Sequence, residues 1–209
     1  MIGRIIETEQ CMAEGAAWLA AHDPRFAAAL LMTGPLPLRR RADGFSALLD
    51  AIVAQQVSVA SARAIWGRME AAGLTEQTAM AVASDDALRA VGLSRQKARY
   101  GRELARNDMN FAALRTRPDA EVITALIALP GIGRWTAEIY AMFALGRADV
   151  FAPGDLALQE AARVLFDLQE RPTERALREM AMAWSPWRAV AAGALWAYYR
   201  VHKSREGIS

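Results

Sequence analysis

Cysteine, lysine and histidine are scarce in this 209-residue chain, and each scarcity narrows what the protein can do. Cys11 is the single cysteine, so neither an intramolecular disulfide nor a four-cysteine iron–sulfur cluster can form, and a reducing compartment is expected. Lys97 and Lys203 are the only lysines, which leaves arginine to carry nearly all positive charge and few amines for covalent chemistry. The two histidines, His22 and His202, lie near the ends of the chain. No run of 18 or more apolar residues offers a membrane span, and no secretory-signal pattern is visible, so the expectation is a soluble protein of the bacterial cytosol and nucleoid. Strand-like alternation of β-branched residues is missing as well, which predicts an all-α fold of ten or so helices.

What is present suits a well-packed core. Hydrophobic residues make up 54% of the chain, enough for one compact domain or two small lobes. The formal charge is only +2, yet the run Arg39-Arg40-Arg41 leaves room for a basic face.

Helical spacing is clear over residues 7–21 and 24–32, with Asp23-Pro24 as a start signal between them. These N-terminal helices, residues 1–36, read as an accessory lobe, and Thr33 to Leu38 break the periodicity. Phe45, Leu48, Leu49, Ile52 and Val53 then keep one face apolar up to Gln55 and Gln56. Ser58, Ser84 and Ser94 are candidate N-caps of the helices that follow, and residues 110–115 suggest one helical turn. Pro118 starts a helix toward residue 129, and further helices are expected at 156–168, 173–184 and 187–202. No internal repeat divides the chain, which reads as a single domain over 1–209.

The most informative stretch is Leu129-Pro130-Gly131-Ile132-Gly133-Arg134-Trp135-Thr136-Ala137, followed by Phe151-Ala152-Pro153-Gly154-Asp155. Pro130 ends one helix, two glycines allow a tight hairpin, and a helical pattern resumes at Arg134. The amides that open the second helix lack intrahelical partners, so an anion such as a DNA phosphate can approach where glycines leave no side chain. Asp155 comes 155 − 131 = 24 residues after the first hairpin glycine, room for a helix and a loop. By itself it could be no more than a helix cap.

The L-P-G-I-G-R-W-T-A string resembles the hairpin of the helix-hairpin-helix DNA glycosylase superfamily, and V-F-A-P-G-D resembles the segment carrying that family's aspartate. Ala51 to Ser58, Trp184-Ser185-Pro186-Trp187-Arg188 and Trp196 narrow the resemblance to the alkylbase (3-methyladenine) DNA glycosylase II branch, over roughly residues 45–200. The resemblance implies a two-lobed helical fold with the active-site cleft between lobes, a monomer acting on double-stranded DNA, and hairpin residues 129–135. It implies that Asp155 is catalytic, that Gly131, Gly133 and Arg134 hold a phosphate, and that Gln56 is a wedge entering the duplex. Trp135 and Trp196 match pocket positions of relatives, and Tyr140 is a further aromatic candidate, whereas Ile139 stands where relatives have another aromatic. No cofactor and no catalytic metal are implied. A monovalent cation at the hairpin, residues 129–134, could assist the phosphate contact, as in relatives.

Two chemical features shape the expected reaction. A carboxylate beside a sugar can stabilise an oxocarbenium-like cation, but glycoside cleavage also commonly needs an acid for the leaving group. None is evident near the motifs, which suits bases that already carry positive charge, such as 3-methyladenine or 7-methylguanine. Trp135 occupies the position where bifunctional relatives hold a nucleophilic lysine, so base removal without strand cutting is expected. Simpler readings stand beside these: tryptophans on helices are often core residues, and Gln55 and Gln56 could be solvated turn residues. The functional alternatives are a non-catalytic helix-hairpin-helix protein that binds DNA or senses damage, and a glycosylase for mismatched or oxidised bases, which the missing lysine and cysteines disfavour.

Overall fold

The computed structural model describes residues 3–205. Among the described residues there are thirteen α-helices, one short 3-10 helix and no strand, with a lone antiparallel bridge between Ile5 and Arg147. Thr8 caps α1 (Glu9–His22), and Asp23 caps α2 (Pro24–Thr33) with Pro24 in its first turn. Next come α3 (Phe45–Ala54), α4 (Val59–Ala71), α5 (Gln77–Val82), α6 (Asp85–Ala90), α7 (Arg95–Ala105), α8 (Phe111–Leu114), α9 (Asp119–Ile127) and α10 (Arg134–Phe143). The chain closes with α11 (Leu156–Leu165), α12 (Glu174–Met180), the 3-10 helix Ala181–Trp184 and α13 (Arg188–Arg205). The caps read from sequence at Ser58, Ser84 and Ser94 each accept a backbone amide of the first turn. The helix expected at 173–184 instead gives way to the 3-10 turn after Met180. Pro186 accounts for the stop at Ser185, because a residue before proline is driven out of the α region.

The chain divides into two units. Arg41–Tyr140 forms one of them, in which α7 packs against α3, α5 and α6, and α3 also packs on α4. Leu48, Leu49, Ile52 and Val53 of α3 have no exposed surface, each contributing about 2 kcal/mol by burial. Gly101 of α7 lets the two helices approach closely, since a Cβ there would lie 3.1 Å from Leu49 Cδ1 of α3.

The other unit is Met1–Arg40 with Ala141–Ser209. There α13 packs on α1, α2 and α11, so the N-terminal helices set apart by sequence as an accessory lobe share one unit with the C-terminal ones. The physical reason is α13's apolar sequence Ala189 to Ala197, largely buried, which needs more cover than one helix supplies. Trp184 meets Phe26 and Phe151 edge-on and stacks with Phe166, with ring centroids 5.3 to 5.7 Å away. A Cβ on Gly15 of α1 would sit 2.7 Å from the Trp187 ring, which shows how closely α1 approaches the start of α13.

Candidate functional site

The hairpin between α9 and α10 takes its shape from two glycines with different duties. Gly131 has φ +82, and a Cβ there would lie 2.5 Å from Cδ2 of Tyr100, so both its backbone and its neighbour exclude a side chain. Gly133 has no left-handed φ, and a Cβ there would meet no atom within 4 Å. Ile132 between them is buried, and its amide donates to the Leu129 carbonyl at 3.1 Å, which pins the loop. Helix α10 then opens at Arg134, its first amides pointing along a dipole that favours an anion. Arg134 is exposed, and its guanidinium is 4.0 Å from Glu138 Oε1, too far for a hydrogen bond. For a cation the loop offers backbone carbonyls, of which that of Gly131 already accepts from Gln55 and that of Leu129 from Ile132.

Trp135 in the first turn of α10 is 46% exposed, unusual for so large an apolar ring. Tyr140, one and a half turns on, is only 5% exposed. Its hydroxyl accepts from the Gly44 amide at 2.7 Å, which satisfies the N-terminus of α3. Burial pushes the phenol up to about 12, with Asp43 adding to the rise and Arg115 opposing it. The Tyr140 hydroxyl is therefore committed to holding α3, a tie that spans 96 residues and that sequence reasoning did not find.

The turn after α3 carries Gln55 and Gln56. Gln56 is exposed with φ +55, a left-handed conformation that costs a non-glycine residue on the order of 1 kcal/mol. Gln55 Nε2 donates to the Gly131 carbonyl at 2.9 Å, which ties this turn to the hairpin. Lys97 of α7 donates from Nζ to the Val53 carbonyl at 2.7 Å, and burial lowers its ammonium below the usual lysine value. From sequence Gln55 could be a solvated turn residue, and neither its bond to Gly131 nor that of Lys97 to Val53 is legible there. The proximity of Lys97 to Tyr100, three positions apart on one helical face, was the available signal.

In the unit that holds the C-terminal helices, Asp155 is the N-cap of α11. Its Oδ1 accepts from the amides of Ala157 and Leu158 at 3.0 Å each and from Trp196 Nε1 at 3.2 Å. The loop before Asp155 is fastened to the start of α13: Asp149 takes Arg188 through two bonds of 2.7 and 2.9 Å and Ser185 at 2.8 Å. The Ala189 amide adds a bond of 2.9 Å to the Ala148 carbonyl. The motif Trp184 to Arg188 thus anchors the helix that carries Trp196, and Asp149 is the residue that sequence reasoning overlooked.

Trp196 is half-buried, 5.7 Å from the Phe143 ring, and lines a mostly apolar cavity with Met12, Leu36, Met142 and Phe143, to which Arg39 and Arg40 also contribute. The structure therefore brings Asp155 and Trp196 together in one unit, and joins Gly131 with the Gln55–Gln56 turn in the other. Trp135 and Tyr140 belong to the second of these. Among the described residues no group of three or more His, Cys, Asp or Glu side chains is gathered for a metal, and no helix is long and apolar enough to cross a membrane.

This geometry has close relatives. A DNA-3-methyladenine glycosidase of Bacillus halodurans superposes with a TM-score of 0.83 at 32% identity, covering 96% of this chain and 94% of that one. The DNA-3-methyladenine glycosylase 2 of Escherichia coli (strain K12) is 29% identical over 168 residues, 74% of this chain and 57% of the relative. A Schizosaccharomyces pombe 3-methyladenine DNA glycosylase, solved in complex with abasic DNA, shares the fold with a TM-score of 0.75 at 24% identity, covering 88% of this chain and 95% of that one. This chain spans only 39% and 40% of the length of the first curated relatives it matches. Residues 49–186 match the HhH-GPD superfamily, and with two thirds of its length in that match the chain belongs to this superfamily of base excision DNA repair proteins.

Proposed function

We propose that the protein is a monofunctional DNA glycosylase that flips alkylated, cationic bases such as 3-methyladenine or 7-methylguanine out of double-stranded DNA and hydrolyses their glycosidic bond, as a monomer without a cofactor, in the bacterial cytosol. The observation that carries this reading is Asp155 Oδ1 under three N–H donors, one of them the indole of Trp196 beside a mostly apolar cavity. Three donors hold the carboxylate in one orientation and make it a fixed negative charge rather than a mobile one. The C1′–N bond breaks with its electron pair passing to the base, so an alkylated purine leaves as a neutral ring and needs no proton from the protein. Positive charge develops on the sugar, where the Asp155 carboxylate stabilises it and guides a water to C1′, taking up the proton that the water sheds.

An electron-poor ring also gains from aromatic faces, which is the role we assign to Trp135 and Trp196. The hairpin amides of Gly131, Gly133 and Arg134 would hold a backbone phosphate, and a monovalent cation on the loop carbonyls would add positive charge there. Gln56 would fill the space that the extruded nucleotide leaves.

The test is a panel of duplexes carrying 3-methyladenine, 7-methylguanine, hypoxanthine, 1-methyladenine or 3-methylcytosine, assayed for abasic sites. The expected product is an intact strand that breaks only after alkali, with no protein–DNA adduct trapped by borohydride. A trapped adduct would overturn the monofunctional assignment. Tight binding without an abasic site on any lesion would leave the non-catalytic reading.

A further inference from the structure

Three contacts within the unit Arg41–Tyr140 close a triangle that the excision chemistry does not require. Gln55 Nε2 reaches the Gly131 carbonyl at 2.9 Å, joining the turn after α3 to the hairpin after α9. Lys97 Nζ reaches the Val53 carbonyl at 2.7 Å, joining α7 to the last turn of α3. The Tyr100 ring fills the space that a side chain on Gly131 would occupy, joining α7 to the hairpin. Lys97 and Tyr100 are one helical turn apart on α7, so one short helix braces both loops from behind.

At the apex of this triangle stands Gln56, exposed and left-handed, flanked by Val57 at 39% and Val59 at 70% exposure. A non-glycine residue persists in that conformation only where its surroundings over-determine it. The turn has four residues between α3 and α4, and Ser58 is already occupied in capping α4. What remains to hold Gln56 in place is the Gln55 amide on one side and the Lys97-held end of α3 on the other.

We propose that Gln55 is a positioning residue that locks the Gln56 turn to the phosphate-gripping hairpin, so that strand capture and insertion into the duplex happen in a single register. This rests on the functional reading above in one respect, that Gln56 enters DNA. Without the lock, the hairpin still grips a phosphate, but the turn samples other conformations and must be ordered at the moment of insertion, which slows extrusion of a paired base. A base that is already unpaired needs little extrusion and gains little from the lock.

Gln55→Glu tests this, since it is nearly isosteric yet sets a carboxylate oxygen against the Gly131 carbonyl. Gln55→Lys, which restores a donor of sufficient reach, is the rescue. Extrusion is read from the fluorescence of 2-aminopurine beside the lesion at saturating protein, and excision from single-turnover rates on a lesion opposite thymine and opposite an abasic site. We expect Gln55→Glu to lower the 2-aminopurine signal at least fivefold and the ratio of paired to unpaired excision about tenfold, and Gln55→Lys to recover most of both. Wild-type extrusion in Gln55→Glu, or an equal loss on paired and unpaired lesions, overturns the proposal. A wild-type protein that extrudes but never excises would sink the glycosylase reading and leave the lock standing. If Gln55→Glu fails to fold by circular dichroism, Lys97→Met cuts the opposite side of the triangle, and the same ratio decides.

Discussion

Replacing Asp155 with asparagine separates the cap from the charge. Three donors, Ala157 N, Leu158 N and Trp196 Nε1, converge on Oδ1, and an asparagine oxygen at that position keeps an acceptor with two lone pairs facing them. Asparagine and aspartate are about equal as N-caps, and loss of the charge's attraction to the α11 dipole costs about 0.3–1 kcal/mol. The melting temperature of Asp155→Asn should therefore stay near that of the wild type. Asp155→Ala, by contrast, loses the cap at about 1 kcal/mol and leaves the indole N–H without this acceptor. On the chemical step, loss of the negative charge facing the sugar cation should remove about 3 kcal/mol of transition-state stabilisation, which slows excision on the order of 100-fold. The assay is single-turnover excision of 7-methylguanine from a duplex, read after alkali, alongside thermal melts of both variants. Excision by Asp155→Asn within threefold of wild type would refute the reasoning, because it would show that the charge is not what the site supplies.

The remaining predictions probe the same assignments from other sides. Trp196→Phe keeps an aromatic face but loses the donor to Asp155, and Trp196→Ala loses both, so excision should fall in that order while affinity for undamaged duplex changes little; equal falls in excision and affinity would make Trp196 a packing residue. Gly133→Val meets no atom within 4 Å and should cost no more than about 1 kcal/mol, the loss of a glycine cap on α10, yet weaken binding to every duplex sequence alike by blocking the phosphate. Unchanged duplex affinity in Gly133→Val would count against the hairpin assignment. Tyr140→Phe removes the bond to Gly44 and should cost about 1 kcal/mol at neutral pH. The raised phenol, about 12 in the fold against an ordinary 10.0, favours the neutral form. The stability it contributes is complete below pH 10 and lost as pH climbs through about 12, so melts of wild type, and not of Tyr140→Phe, should show this alkaline loss.

What was legible in the sequence divides along a physical line. Caps, helix starts and the hairpin depend on residues within a few positions of one another, so Ser58, Ser94 and Asp155 could be read from local pattern alone. Contacts that join distant segments leave no such pattern: Gln55 to Gly131 spans 76 residues and Tyr140 to Gly44 spans 96. The aromatic character of Tyr140 was visible, but not that its hydroxyl already had a backbone partner. The two hairpin glycines make the division sharpest. As letters in the chain they share one role, backbone freedom for close approach of an anion. In the fold Gly131 is required from inside, by its left-handed φ and by the Tyr100 ring, whereas no protein atom within 4 Å requires Gly133. A glycine that its own fold does not demand is best explained by what approaches from outside, so the pair of variants at these two positions distinguishes architecture from binding. Gly131→Ala should destabilise the unit before any question of DNA arises. Gly133→Ala should change stability little, because the gain of about 0.4–1 kcal/mol through the unfolded chain is offset by a poorer cap on α10, whose Ala137 amide bonds the Gly133 carbonyl, so a larger effect on DNA belongs to the interface.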